Sequence, residues 1–172
     1  MKHKQAYNII SKHINTGKSI KEICLEQRLD KTLIHNKLKR LRNEYKVFKK
    51  EKNIMDFDDL LYLFKELLSK DKKLRERLCF KYKYIMVDES QDLNWIQSEI
   101  INLLCSKHDN IMWVGDDLQS IYGFRGAEIQ NILSFPKRFK NTKVITLDQN
   151  YRSTQPILDF TNRIIDSCPE KY

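Results

Sequence analysis

The chain has 172 residues and a mass of 20.7 kDa, room for one ordinary domain or a domain with an appendage. With 41% hydrophobic and 32% charged residues, 4 Gly and 3 Pro, it is not collagen-like, linker-like or low-complexity, and charges interrupt its apolar runs well before the ~20 residues that a membrane span requires. The net charge of +9 belongs to the first half alone: residues 1–84 hold 23 basic and 11 acidic residues, residues 85–172 hold 9 and 12.

The N-terminus MKHKQAYNII lacks the long apolar core of a signal peptide, so an intracellular, cytoplasmic protein is expected. Cys24, Cys79, Cys105 and Cys168 stand far apart without a C-x-x-C pair, which points to reduced structural thiols and not to a zinc knuckle or a disulfide framework.

Residues 1–82 contain one Gly (Gly17) and no Pro, and apolar residues recur at helical spacing: Ile20, Ile23 and Cys24; Leu38, Leu41, Tyr45 and Phe48; Leu60, Leu61, Phe64, Leu67 and Leu68. An all-helical segment is expected, with Ser19 and Glu22 forming a capping box and Asp30 and Asp56 as further N-caps. Thr16-Gly17-Lys18-Ser19 matches half of the phosphate-loop pattern G-x-x-x-x-G-K-[ST], but position 12 is Lys and no buried strand precedes it. The preferred reading makes Gly17 the close of one helix and Ser19 the cap of the next. Residues 19–42 also fit a helix-turn-helix, with a break near Gln27 to Leu29 and Thr32, His35 and Asn36 facing base edges. Against that fit, the turn lacks Gly and the basic helix continues past Tyr45, where its Lys and Arg residues offer sequence-blind phosphate attraction or a solvated face. The best boundary falls at residues 50–56, where KVFKKEK gives way to MDFDDLL.

After Lys83 the period changes. The runs 84–87 (YIMV), 111–114 (IMWV) and 144–147 (VITL) are short and rich in β-formers, with helical patterns from Leu93 to Cys105 and Ala127 to Leu133 between them. Alternation of this kind predicts a parallel α/β sheet with flanking helices and right-handed crossovers. A last helix is expected from about Thr154 to Asp166, with Pro156 in its first turn.

Each expected strand runs into chemistry-bearing residues at its carboxyl end, where α/β sheets place their ligand crevice. The first leads to Asp88-Glu89-Ser90-Gln91-Asp92. Asp88 is a candidate Mg²⁺ ligand and Glu89 a candidate base for an attacking water, although acids also suit a solvated helix N-terminus. The second leads to Gly115-Asp116-Asp117-Leu118-Gln119, with Gln119 as an uncharged phosphate sensor. A Gly-bounded Tyr122, Phe124 and Arg125 follow, suited to stacking single-stranded bases and meeting phosphate; the alternative places the aromatics in the core. The third leads to Tyr151 and Arg152, a base-stacking ring and a guanidinium able to reach a phosphoryl group, or a surface charge.

Taken in order, VDESQD, VGDDLQSIYGFRGA and QNYRST, with MDFDDLL upstream, resemble the UvrD/PcrA/Rep helicases of superfamily 1 over roughly residues 54–167. Residues 1–53 resemble, more weakly, the end of that family's helical accessory insertion. The resemblance implies a partial RecA-like (P-loop NTPase) motor domain over 54–172 and an accessory-insertion segment over 1–53. It also implies ATP with Mg²⁺, a single-stranded DNA or strand-junction substrate, 3′ to 5′ translocation and a nucleoid-associated location. Position by position, Asp88 holds Mg²⁺, Glu89 is the base, Gln119 senses the γ-phosphate, Arg152 is the arginine finger and Tyr151 stacks on adenine. Tyr122, Phe124 and Arg125 contact DNA. Leu118 departs from the acid frequent before the glutamine, and Phe124 stands where some members carry Trp. Without a complete phosphate loop or the motifs of a second motor domain, the 172 residues are expected to be inactive alone and to work with the remainder of a helicase chain.

Overall fold

The computed structural model describes residues 1–29, 32–123, 126–127, 129–139 and 141–166. Apolar spacing in the first half resolves into helices α1 (His3–Thr16), α2 (Ile20–Glu26), α3 (Thr32–Glu51), α4 (Phe57–Lys70) and α5 (Lys72–Lys81). The first three bury a common core of Ala6, Ile9, Ile20, Ile23, Cys24 and Leu38, with Leu29 and Ile34 against it. Complete burial of Ile9, Ile23 and Leu38 contributes roughly 1.5–3 kcal/mol each.

Local capping follows the sequence reading. Gly17 closes α1 in the left-handed region at φ 69°, and Ser19 opens α2 with a reciprocal capping box to Glu22. Lys12 and Lys18 both reach Glu26 at 2.7 Å, and their hydrogen bonds pull its carboxyl down to about 2. Gly17-Lys18-Ser19 thus joins two helices and is not a loop between a strand and a helix. Asp56 caps α4 through a box with Asp59, whereas the expected cap Asp30 lies outside the described residues. The break between α2 and α3 falls where expected, with Arg28 at φ 56°. Of the three side chains expected to face base edges, Thr32 and Asn36 are exposed but His35 is buried, because its turn of α3 faces the three-helix core.

The second half supplies β1 (Ile85–Val87), α6 (Trp95–Leu104), β2 (Ile111–Trp113), the short helices α7 (Gln130–Leu133) and α8 (Phe135–Arg138), and α9 (Gln155–Asp166). β1 and β2 pair in parallel, Ile85 with Ile111 and Val87 with Trp113, and α6 is the crossover between them. Helices α4, α5 and α6 pack together and bury Leu68, Cys79, Ile96 and Ile100. Cys24, Cys79 and Cys105 are free and buried, and burial pushes the Cys105 thiol up to about 11. Among the described residues no helix is long and apolar enough to cross a membrane. The chain is mostly helical with a two-stranded parallel sheet; the expected third strand at 144–147 is irregular and exposed, Leu147 by 84%. Those residues carry β propensity but have no described strand to pair with, and an unpaired strand lacks its ladder of hydrogen bonds. The helix expected at Ala127 starts only at Gln130, while α9 begins as expected with Pro156 in its first turn.

The two halves are tied by specific contacts. Asn15 on α1 donates to Asp58 on α4 at 2.8 Å and accepts from Asn94, the N-cap of α6, at 3.0 Å. Gly17 lies against the Trp95 ring, where a Cβ would sit 2.9 Å from the nearest ring carbon. At the α3–α4 junction Lys49, 7% exposed, reaches Asp56 at 2.9 Å and Asp59 at 2.6 Å. Burial works to raise the Asp56 carboxyl, but hydrogen bonds from Lys49, the Asp59 amide and Tyr45 outweigh it and hold the group below its ordinary 3.8. A depressed carboxyl stabilises the fold fully above its unfolded value, and that contribution disappears as pH falls through the folded value. Lys49→Ala is therefore expected to lower the unfolding free energy by about 2 kcal/mol at neutral pH, with the gap to the parent closing below about pH 4. Urea titrations at pH 7 and pH 3 measure this, and equal stability at pH 7 would show that the staple contributes nothing.

Candidate functional site

The sheet pairing continues one step past the named strands. The Val114 N–H donates to the Val87 carbonyl at 2.8 Å, and the Ser90 N–H donates to the Val114 carbonyl at 3.0 Å. This ladder holds Asp88-Glu89 and Gly115-Asp116-Asp117 side by side at the carboxyl edge. Contact is close enough that a Cβ on Gly115 would lie 2.5 Å from Ser90 Oγ and 2.6 Å from Gln91 Oε1.

Asp88 and Glu89 are both exposed. Asp88 Oδ1 accepts the Glu89 N–H at 2.9 Å, and Glu89 adopts φ 49°, ψ 44°, a left-handed conformation uncommon outside glycine and concentrated at functional sites. Gln91, only 2% exposed, spans the gap between the strand ends. Its Nε2 donates to Glu89 Oε2 at 2.6 Å, and its Oε1 accepts the Asp116 N–H at 3.1 Å. Ser120 Oγ donates to the Gln91 carbonyl at 3.4 Å. On the far side, Gln119 Nε2 donates to Asp116 Oδ2 at 2.8 Å while Asp116 Oδ1 caps the Leu118 N–H at 3.0 Å. Three of the sequence-predicted residues, Asp88, Glu89 and Gln119, are therefore linked through Gln91 and Asp116. Sequence reading gave Gln91 no role; the available signal was an uncharged amide inside an acidic run that leaves a buried strand.

The loop after Gln119 is anchored to α6 by an isolated antiparallel bridge between Asn94 and Ala127. Tyr122 is half-buried and its carbonyl accepts the Ala127 N–H at 3.3 Å, while Phe124 and Arg125 lie outside the described residues. Helices α7 and α8 brace this side: Asn131 donates to the Leu93 carbonyl at 3.1 Å, and Phe135 meets Trp113 at 4.8 Å between ring centroids. Tyr151 is 93% exposed and Arg152 is exposed, in a turn where Asn150 Oδ1 accepts the N–H groups of Arg152 and Ser153 at 2.8 Å each. Among the described residues neither side chain is hydrogen-bonded or ion-paired to the strand ends, so the structure does not join them to the Asp88–Gln119 network.

Among the described residues no group of three or more His, Cys, Asp or Glu side chains forms a cage for a metal ion. The exposed carboxylates of Asp88 and Glu89 fit the modest demand of Mg²⁺, which keeps several waters and takes one or two carboxylates plus substrate phosphates. A cavity of about 620 Å³ lies instead near the loop entering β2, lined by Cys105, His108, Arg138 and Phe139 among others, and includes none of the predicted site residues. Gly115→Ala tests the close approach of the strand ends: two buried polar side chains must shift, and a loss of about 2 kcal/mol or more in unfolding free energy is expected. Thermal melting of the variant measures it, and an unchanged midpoint would mean that the loops are not held in contact.

The family model described as the UvrD/REP helicase N-terminal domain matches residues 1–140. The chain is 42% identical over 149 residues to the ATP-dependent DNA helicase Rep of Buchnera aphidicola subsp. Baizongia pistaciae, covering 86% of this chain and 22% of that protein. It is 45% identical over 120 residues to the probable DNA helicase II homolog of Rickettsia conorii, covering 70% and 18%. Identity to the ATP-dependent DNA helicase PcrA of Staphylococcus aureus is 46% over 117 residues, covering 68% and 16%. The chain thus spans about a fifth of the length of these curated relatives, and it belongs to the UvrD/REP helicase N-terminal domain family.

Proposed function

We propose that the chain is a segment of an ATP-dependent DNA helicase that couples hydrolysis of MgATP to 3′ to 5′ movement on single-stranded DNA, acting at single-strand or junction substrates in the cytoplasm. Residues 54–172 are read as part of a RecA-like motor domain and residues 1–53 as the end of its accessory insertion. The observation that carries the reading is the hydrogen-bonded chain from Glu89 through Gln91 and Asp116 to Gln119 at the carboxyl ends of two parallel strands.

In this reading Asp88 holds the Mg²⁺ of MgATP, which supplies neutralising charge at the phosphates. Glu89 takes the proton of the attacking water through its carboxylate, an exposed base held at a fixed backbone position by the Asp88 and Gln91 hydrogen bonds. Gln119 reports the γ-phosphate to the adjoining loop, where Tyr122, Phe124 and Arg125 meet single-stranded DNA by stacking and phosphate contact. Tyr151 stacks on adenine, and Arg152 stabilises charge on the transferring phosphoryl group once the remaining parts of the helicase bring them to the strand ends.

A second reading, a non-catalytic DNA-binding module built on α2 and α3, is favoured by the exposed lysines and arginine of α3, including Lys37, Lys39, Arg40 and Lys46. Burial of His35 weakens its base-reading version. The two readings separate on turnover. Full-length protein carrying this chain is expected to hydrolyse ATP in a DNA-stimulated manner and to lose at least about 100-fold in kcat with Glu89→Gln, whereas residues 1–172 alone show no turnover. Full activity of the Glu89→Gln protein would sink the assignment of the base. Binding of single-stranded DNA to the 172-residue chain is expected to weaken at least about tenfold between 50 and 200 mM NaCl if the basic half carries it. A salt-independent dissociation constant in fluorescence anisotropy would exclude that half as the contact.

A further inference from the structure

We propose that Gln91 is a positioning residue that makes the aim of Glu89 depend on the seating of the β2 loop. The inference rests on the reading of Glu89 as the base and adds a residue to which neither the family description nor the relatives' names assign a role.

The side-chain amide of Gln91 has one donor edge and one acceptor edge, and each is committed to a different strand end. Its Nε2 holds Glu89 Oε2 at 2.6 Å, and its Oε1 holds the backbone N–H of Asp116 at 3.1 Å. Burial leaves the amide almost no water to substitute for either partner, so losing one bond strands a polar group. The β2 loop packs directly on this amide: a Cβ added at Gly115 would lie 2.6 Å from Gln91 Oε1. Displacement of Asp116 therefore moves or orphans the acceptor edge of Gln91, and the donor edge follows with it. Asp116 is in turn gripped by Gln119 through its carboxylate. Motion of Gln119 consequently reaches Glu89 through two side chains without any direct contact between them.

The rest of the turn keeps Glu89 dependent on this bond. Its backbone is in the left-handed region, and its carboxylate is exposed, so the single hydrogen bond from Gln91 is what selects one rotamer among those open to it. A base misplaced by about 1 Å costs on the order of 100-fold in rate, which sets the size of the expected effect.

The test uses full-length protein carrying this chain and reads DNA-stimulated ATP hydrolysis. Gln91→Met keeps the length of the side chain and removes both hydrogen bonds, and Gln91→Glu keeps an acceptor for the Asp116 N–H but turns a carboxylate toward Glu89. Both are expected to lower kcat by about 100-fold while KM for ATP stays within about threefold, and Gln91→Met, which adds no buried charge, is expected to keep the melting temperature of the 172-residue chain within a few degrees. The stimulation of turnover by DNA should fall toward unity in Gln91→Met. Wild-type kcat in either variant, or a loss that appears in KM or tracks the melting temperature, would overturn the role. If Gln91→Met fails to fold, Gln91→Leu, which also removes both hydrogen bonds without burying a charge, decides by the same criteria. Glu89→Gln in the same protein separates the layers: retained turnover removes the base reading and this inference with it, while an inactive Glu89→Gln beside a fully active Gln91→Met overturns the positioning role only.

Discussion

Two backbone hydrogen bonds, from Val114 to Val87 and from Ser90 to Val114, set the arrangement on which the acidic site depends. They extend a ladder of only three paired positions past the strand ends and thereby place two acidic loops in contact. A two-stranded sheet of this length has little stability of its own, so the positions of these loops derive from the helices behind it. Helix α6 is both the crossover that makes the strands parallel and the surface on which α4 and α5 pack. This frame holds the two acidic loops in contact, with Gln91 between them as an amide that serves the Glu89 carboxylate and the Asp116 N–H at once.

The uneven charge distribution acquires a structural meaning from this arrangement. The basic half is a three-helix unit with its own core, continued by α4 and α5, and its exposed α3 offers positive charge over a length of twenty residues. The acidic half places five of its twelve acidic residues, Asp88, Glu89, Asp92, Asp116 and Asp117, in the two loops at one sheet edge. Joined by the Asn15–Asn94 hydrogen bond and the packing of Gly17 on Trp95, the halves place a basic helical surface and an acidic sheet edge on one body. Membership of the UvrD/REP helicase N-terminal domain family is consistent with that division.

Legibility in the sequence followed the range of the interaction involved. The Ser19 and Asp56 capping boxes, the Gly17 helix end and Pro156 at the start of α9 are decided within a few residues, and each is where local chemistry puts it. The first two strands are legible because their β-forming residues sit at a spacing that a crossover helix bridges. Val144 to Leu147 has the same composition, yet a strand is a relation between two backbones, and composition contains only one of them. The clustering of Asp88 and Glu89 with Gln119 was foreseeable from where strands end. Their linkage through Gln91 was not, because it depends on a register between residues 91 and 116 that no local pattern encodes. Lys49 likewise reads as one more basic residue on an exposed helix until the turn after α3 brings Asp56 and Asp59 around it.

Gly17 against Trp95 has a consequence for the way such chains diverge. The indole occupies the space that any side chain at position 17 would need, and the left-handed backbone there independently disfavours one. A larger residue at 17 is tolerable only if the ring at 95 shrinks or turns away, and a smaller ring at 95 would leave a void beneath the end of α1. The two positions, 78 residues apart, should therefore change together, and recombination that exchanges the N-terminal helices between relatives succeeds only when it transfers a compatible partner for the first turn of α6.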